Sequence, residues 1–153
     1  MLLLQRSFED SFGGAWEGPG GSCDPEDKTL LDGVAREVLE ESGLHVSRFV
    51  DLASRDEWVK RGPGSVAMAV KHTFIVEVHE ASDSKGSQSS EGQDGLQRSW
   101  EDMVKLDPAE HRAFEWVTEE EIRESIGDLP GRLKSFRNGE KAMLEAFQML
   151  NST

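Results

Sequence analysis

Three glutamates, Glu37, Glu40 and Glu41, lie close together in a segment whose apolar pattern predicts a helix over residues 29–42. Because helical residues advance by about 100° each, the three carboxylates share an arc of about 100°, on a different side from the apolar residues. Like charges one turn apart repel each other, and the last turn of a helix disfavours anions. This departure from the usual electrostatic rules for helices indicates a candidate functional site.

Divalent-cation binding is the chemistry that best suits these carboxylates. Mg²⁺ and Mn²⁺ prefer carboxylate oxygens, and they keep water molecules that substrate phosphates can replace. A solvated acidic helix face is the alternative, and from the three glutamates alone it is the favoured one. The flanking residues change this weighting.

A longer pattern surrounds the helix. The pair Gly20-Gly21 precedes it, and residues 36–44 have the sequence Arg-Glu-Val-Leu-Glu-Glu-Ser-Gly-Leu. This arrangement resembles the signature of the Nudix hydrolase family, whose second half it matches at every position. Residues 108–121 are similar to a Pro-x-Glu-His stretch that leads into a Trp-ended strand and a helix in many members. The resemblance covers most of residues 1–125.

The resemblance implies hydrolysis of a nucleoside diphosphate linked to another group. Water would attack a phosphorus of the P–O–P linkage, with Mg²⁺ or Mn²⁺ as the cofactor. Motif position implies that the carboxylates of Glu37, Glu40 and Glu41 are metal ligands, joined by the carbonyl of Gly20. The expected substrate is therefore a small molecule derived from a nucleotide.

Other residues receive roles with open alternatives. By resemblance, Arg36 orients the catalytic carboxylates, or it forms an ordinary surface ion pair. Glu110 is a candidate general base or further ligand on a mobile loop, or a solvated loop acid, and His111 beside it is expected at the surface. Arg6 is a candidate phosphate-binding residue or a surface arginine. Trp16 stacks on a base or packs beneath the glycine loop, with packing slightly favoured.

The first acidic position of the family signature is displaced in this chain. Fourteen residues separate Gly21 from Arg36, whereas the family pattern has thirteen. Counting forward from Gly21 gives Asp27, and counting back from Arg36 gives Lys28. A one-residue insertion would assign the role to Asp27 or, less favourably, to Glu26. Asp27 is also a candidate helix N-cap.

The alternation of strands and helices predicts an α/β (α+β) sandwich. The resemblance implies, more specifically, a Nudix-like α/β/α sandwich around a mixed sheet that lacks the usual first strand. Residues 66–78 alternate with period two, so their even positions, including His72, are expected to face a core. Residues 81–98 contain few large apolar groups, and we expect a disordered insertion there. Further strands are predicted at residues 1–6, 46–52 and 114–117, a turn-rich stretch up to residue 64, a capped helix after Thr118 and a last helix over residues 139–150.

The composition limits the classes of function. The chain has 153 residues, with 17 Lys+Arg against 30 Asp+Glu and a formal net charge of −13, which is consistent with one domain over residues 1–153. Such a charge disfavours bulk nucleic-acid binding. No stretch approaches the roughly 18 apolar residues of a membrane helix. We therefore expect a soluble cytoplasmic, or nuclear, protein with no membrane partner.

The start of the chain raises a further expectation. Family members normally have a strand before the segment that resembles residues 2–6, so a sheet edge is expected to be exposed here. A second copy of the chain could cover that edge, which gives a homodimer as a possible partner state. The alternatives to an enzyme are a catalytically silent Nudix-like module that binds a nucleotide or protein, and a truncated fragment.

Overall fold

The computed structural model describes residues 1–9, 12–83, 99–125 and 139–152. A short 3₁₀ helix spans Trp100–Met103. In chain order the elements are β1 (Leu2–Arg6), β2 (Trp16–Glu17), α1 (Leu30–Ser42), β3 (Val46–Gly62), β4 (Ser65–Val78), α2 (His79–Asp83), β5 (His111–Trp116), α3 (Glu119–Ser125) and α4 (Gly139–Asn151).

Strand β1 is the centre of the fold. It pairs antiparallel with β2 on one edge and with β5 on the other. Because alternate side chains of a strand point to opposite faces, Leu4 packs with Val38 of α1 in one core. Leu3 packs with Ile122 of α3 and Met143 of α4 in a second core. Helices thus cover both faces, and the expected α+β sandwich is confirmed.

The described strands form two antiparallel sheets, β2-β1-β5 and the hairpin β3-β4, whereas one mixed sheet was expected. The hairpin is longer than its pattern predicted, because β3 continues through residues 53–62, which were expected to be turn-rich. Only the inner end of β4 faces a core: Val78 is buried, whereas Val66 and Met68 are exposed by 68% and 64%. The period-two pattern is present, but no described element covers its outer half.

Helix α1 begins and ends close to the predicted positions. The Thr29 side chain accepts a hydrogen bond from the Asp32 N–H, so Thr29, and not Asp27, is the N-cap. Gly43 ends the helix in the left-handed conformation, with φ 70°, where glycine carries no steric penalty.

The later elements agree with their sequence signals. Thr118 and Glu121 form the capping box that begins α3. Helix α2 includes residues 81–83, the start of the expected insertion, while residues 84–98 lie outside the described residues. In the described part of the chain, no helix is long and apolar enough to cross a membrane.

Candidate active site

A cleft of about 560 Å³ lies where three segments meet. These are the glycine loop before α1, one side of α1, and the turn before β5. Arg6, at the end of β1, also lines it. The carboxylates that line the cleft belong to Glu9, Glu37, Glu41 and Glu110. Two of the three predicted helix acids and the predicted loop acid are therefore brought together.

The glycine loop is held against the helix carboxylates. The Gly20 N–H donates a hydrogen bond of 2.8 Å to Oε2 of Glu41. Gly20 has a φ of 151°, which residues with a side chain rarely adopt. A Cβ atom on Gly21 would lie 2.6 Å from Oε1 of Glu37. Glycine at both positions is therefore what permits this close approach, and the ligand role of the Gly20 carbonyl stays a prediction.

Glu41 is the most deeply buried acid of the cleft, with 5% of its surface exposed. Burial raises the pKa of Glu41 to about 7, although the Gly20 N–H and the nearby His111 act in the opposite direction. Burial also raises the pKa of Glu37. A carboxylate whose negative charge is this poorly compensated is stabilised by a bound cation.

His111 was expected at the surface, and this prediction is wrong, because only 2% of the residue is exposed. Strand β5 begins at residue 111, three residues earlier than predicted, so the alternation of the strand turns the imidazole inwards. Within the described part of the chain, neither ring nitrogen has a hydrogen-bond partner. If the strand had been predicted to begin at His111, its alternation would have indicated that the imidazole faces inwards.

A second missed residue, Glu17, links His111 to the cleft. Oε1 of Glu17 accepts a hydrogen bond from Nη1 of Arg6, and it lies 3.6 Å from Nε2 of His111. Although burial opposes the shift, His111 and Arg6 lower the pKa of Glu17. Burial alone would lower the pKa of His111, but Glu17 and Glu41 raise it. Arg6, Glu17, His111 and Glu41 are thus neighbouring ionisable groups whose pKa values depend on one another.

The cleft contains a group that is suited to a divalent cation. One ligand atom each from Glu41, Glu110 and His111 lie within 4.8 Å of one another. Carboxylates suit Mg²⁺ and Mn²⁺, whereas imidazole is a more usual ligand of softer transition metals. His111 is therefore better interpreted as the partner of Glu41 than as a ligand. The buried carboxylate with a raised pKa fits a divalent ion.

Arg36 connects the glycine loop to the helix. Its Nε and Nη2 donate to both carboxylate oxygens of Asp27, at 3.1 and 3.0 Å. Its Nη1 lies 2.8 Å from Glu40 and 3.1 Å from Glu37. A Cβ on Gly33 would lie 2.8 Å from the Asp27 carboxylate, so glycine there leaves room for this contact. Asp27, in the lengthened loop before α1, thus pairs with Arg36, the arginine of the family signature. This contact lowers the pKa of Asp27.

The structure separates two predicted residues from the cleft. Glu40 has 58% of its side chain exposed, contacts Arg36 and does not line the cleft, so its ligand role stays a prediction. Trp16 does not stack on a substrate, because it is buried with Leu3 and Val117 in the second core. This corrects its assignment as a substrate-binding residue and agrees with the packing alternative.

Comparison with known proteins places this cleft in a family. The family model described as the NUDIX domain matches residues 1–138, which include the glycine loop, α1 and the turn before β5. A comparison with curated proteins gave no match. The domain supports, in general, a pyrophosphohydrolase-type function on acid anhydrides. With the matched region covering well over half of its 153 residues, the chain belongs to the NUDIX family.

Proposed function

We propose that the protein is a Mg²⁺- or Mn²⁺-dependent pyrophosphohydrolase. Its substrate would be a nucleoside diphosphate linked to another moiety, cleaved at the P–O–P linkage. The observation that carries this proposal is the convergence of Glu37, Glu41, Glu110 and the Gly20 peptide on one cleft. Glu41 there is buried without a full complement of positive charge.

The cation would be held by the carboxylates of Glu37, Glu41 and Glu110, with Glu40 and the Gly20 carbonyl as further predicted ligands. When bound, it supplies positive charge that polarises phosphoryl oxygens and lowers the pKa of water. It also explains how a chain of net charge −13 can bind a polyphosphate.

Glu110 is the residue we assign to proton transfer from the attacking water. Its backbone is fixed on both sides, because its N–H donates to the Asp107 carbonyl at 3.1 Å and its carbonyl accepts from the Ser7 N–H at 2.8 Å. Glu110 thus lies in a hydrogen-bonded turn, and the expected mobility of this loop stays a prediction. A positioned carboxylate can accept a proton as the phosphorus–oxygen bond forms.

Arg6 is the residue we assign to binding a substrate phosphate. It lines the cleft, and its guanidinium is oriented by the pair with Glu17. Arginine suits this task because its fork of donors matches phosphate oxygens. Arg36 pairs with Glu37, Glu40 and Asp27, and we assign to it the orientation of these carboxylates and of the loop that carries Asp27.

The test is release of phosphate-containing products from a panel of nucleoside diphosphate and triphosphate derivatives, with Mg²⁺, with Mn²⁺ and with chelator. The wild-type protein is compared with Glu37→Gln and with the matched control Glu124→Gln, at an exposed residue near the end of α3. We expect metal-dependent turnover in the wild type and the control, and its loss in Glu37→Gln.

Two results would contradict the proposal. Turnover that is equal in Glu37→Gln and wild type would show that the reaction does not take place in this cleft. Nucleotide binding by calorimetry without any turnover would instead favour a catalytically silent binding module.

A further inference from the structure

The outer half of the β3-β4 hairpin exposes one apolar face. We call it the outer hairpin face, and cross-strand register defines it by three pairs: Glu57 with Val70, Val59 with Met68, and Arg61 with Val66. The register is regular from Ser54 to Gly62, so these side chains point to the same side. Val59, Val66, Met68 and Val70 are all exposed.

This face continues the core-facing side of β4. Phe74, Val76 and Val78 have the same parity and become progressively part of the packed interior, with Val78 in the first core. A two-stranded hairpin alone is at best marginally stable, and contiguous exposed apolar surface usually indicates an interaction site. The outer hairpin face is therefore apolar like a buried sheet face, but no element among the described residues covers it.

The charges on the face indicate what covers it. Glu57 and Arg61 lie two residues before and two residues after Val59 on the same strand face. A two-fold axis through Val59, lying in the interface and perpendicular to the strands, would place Glu57 of one copy opposite Arg61 of the other. The same operation places Val59 on Val59 and Met68 on Met68. Glu57 already pairs with Arg55 of its own chain, and in this arrangement Arg61 of the partner approaches the same carboxylate. The face is thus complementary to itself in hydrophobicity and in the opposition of Glu57 to Arg61.

We propose that the outer hairpin face is the docking surface for a second copy of this chain. In this arrangement, β3 of one protomer lies across β3 of its partner in the opposite direction. A two-fold axis along the strands would instead oppose Arg61 to Val66, and Glu57 would keep only its pair with Arg55 of the same chain. Contact is made through the face of the hairpin rather than through the exposed sheet edge expected from the sequence.

The size of the face sets the expected strength of association. A stable interface buries about 800 Å² per partner, and six residues on a two-stranded ribbon cover less than this. We therefore expect a reversible dimer, populated at tens to hundreds of micromolar. Two ion pairs at the rim would contribute mainly to the orientation of the partners.

The test is sedimentation equilibrium of the full chain over that concentration range, with charge reversals at each end of the face. In Glu57→Arg the face would oppose arginine to arginine, and in Arg61→Glu it would oppose glutamate to glutamate. We expect each variant to raise the dissociation constant by about tenfold or more. The double variant, which carries both reversals, is expected to restore association, because each pair again joins opposite charges with the two signs exchanged.

The most specific sedimentation experiment uses an equimolar mixture of the two single variants. Each alone self-associates poorly, but together they would form a heterodimer in which both pairs are of opposite charge. The controls Lys141→Glu and Glu120→Arg make the same changes in net charge on exposed residues of α4 and α3. They should associate like the wild type.

A monomeric wild type throughout this range would overturn the proposal, as would a mixture that stays monomeric while the wild type dimerises. Circular dichroism checks that each variant is folded. Met68→Ser, at a residue that is 64% exposed, provides a second route to weaker association without charge reversal. Unchanged association of folded Met68→Ser would also contradict the proposed interface.

Discussion

The cleft beside α1 and the outer hairpin face depart from ordinary protein surfaces in opposite ways. At the cleft, ionisable groups are buried, with Glu41 in its lining and the neighbouring His111 exposed by 5% and 2%. On the hairpin, apolar side chains are exposed, with Val66 and Met68 at 68% and 64%. Buried charges and exposed apolar groups both cost free energy unless something compensates them. Under the two proposals above, an ion or a charged substrate compensates the cleft, whereas an apolar layer compensates the hairpin.

The largest expected effect concerns the cleft acids. Glu110→Gln removes the proposed proton acceptor but keeps the shape of the side chain. We expect kcat to fall by about 100-fold to 10,000-fold, the usual contribution of a general base. Steady-state kinetics with saturating Mg²⁺ measures it, with Glu57→Gln on the hairpin as the matched control. A loss confined to KM would assign Glu110 to binding only.

A pair of identical substitutions compares packed and uncovered apolar groups directly. Met143→Ala in the second core should reduce the free energy of unfolding by about 2–5 kcal/mol, since it leaves a cavity. Met68→Ala on the hairpin should change it by less than about 0.5 kcal/mol in the monomer. Urea titrations at low protein concentration measure both. Equal losses would show that Met68 is covered by its own chain.

The pH dependence of stability tests the buried charge of Glu41. Its pKa is about 7 in the folded protein, whereas the ordinary value is 4.5. Between these two pH values, the folded state therefore keeps a proton that the unfolded state releases. Stability without metal should therefore fall as pH rises from about 4.5 to 7, by at most about 3 kcal/mol from this group. The raised pKa of His111 acts in the same direction, since its contribution is lost as pH rises through that pKa.

Glu41→Gln provides the check on this pH dependence. The variant should be more stable than the wild type at pH 8 in chelator and should bind Mn²⁺ more weakly. Denaturant titrations across the pH range, with and without Mn²⁺, separate the two effects. A wild type whose stability rises over this range would contradict the assignment.

The smallest expected effect concerns two arginines that make similar contacts, one beside the cleft and one at the inner end of the hairpin. Arg36→Lys loses the two-pronged contact with Asp27, and we expect kcat to fall by about tenfold because the carboxylates become less well oriented. Arg48, which makes a similar contact with Glu77 on the hairpin, supplies the control Arg48→Lys. Equal activities of the two variants would show that Arg36 forms only an ordinary surface ion pair and does not orient the carboxylates.

The sequence predicted the parts of the site that depend on local pattern. Helical periodicity predicted the side of α1 that carries Glu37 and Glu41, and the resemblance to the family signature predicted that Gly20 belongs to the same site. Asp27 could not be assigned, because only the fold shows which residue of the lengthened loop reaches Arg36. Glu17 and His111 were missed because their burial depends on the pairing of β1 with two distant strands.

The hairpin shows the converse limit. Alternation correctly predicted a strand over residues 66–78 with one apolar side. It could not show that the described helices leave the outer residues of that strand uncovered. Alternation identifies an apolar face, but it does not indicate which element packs against that face. Trp16 illustrates the same point, since an aromatic residue beside a site can belong to the core beneath it.

The most direct test of the central claim is hydrolysis of a nucleoside diphosphate derivative in ¹⁸O-labelled water with Mg²⁺. Attack of water on phosphorus in this cleft predicts one ¹⁸O atom in a phosphate product, dependence on Mg²⁺, and no labelled product from Glu37→Gln. Label found only on the non-phosphate product, or labelling that is unchanged in Glu37→Gln, would contradict the account.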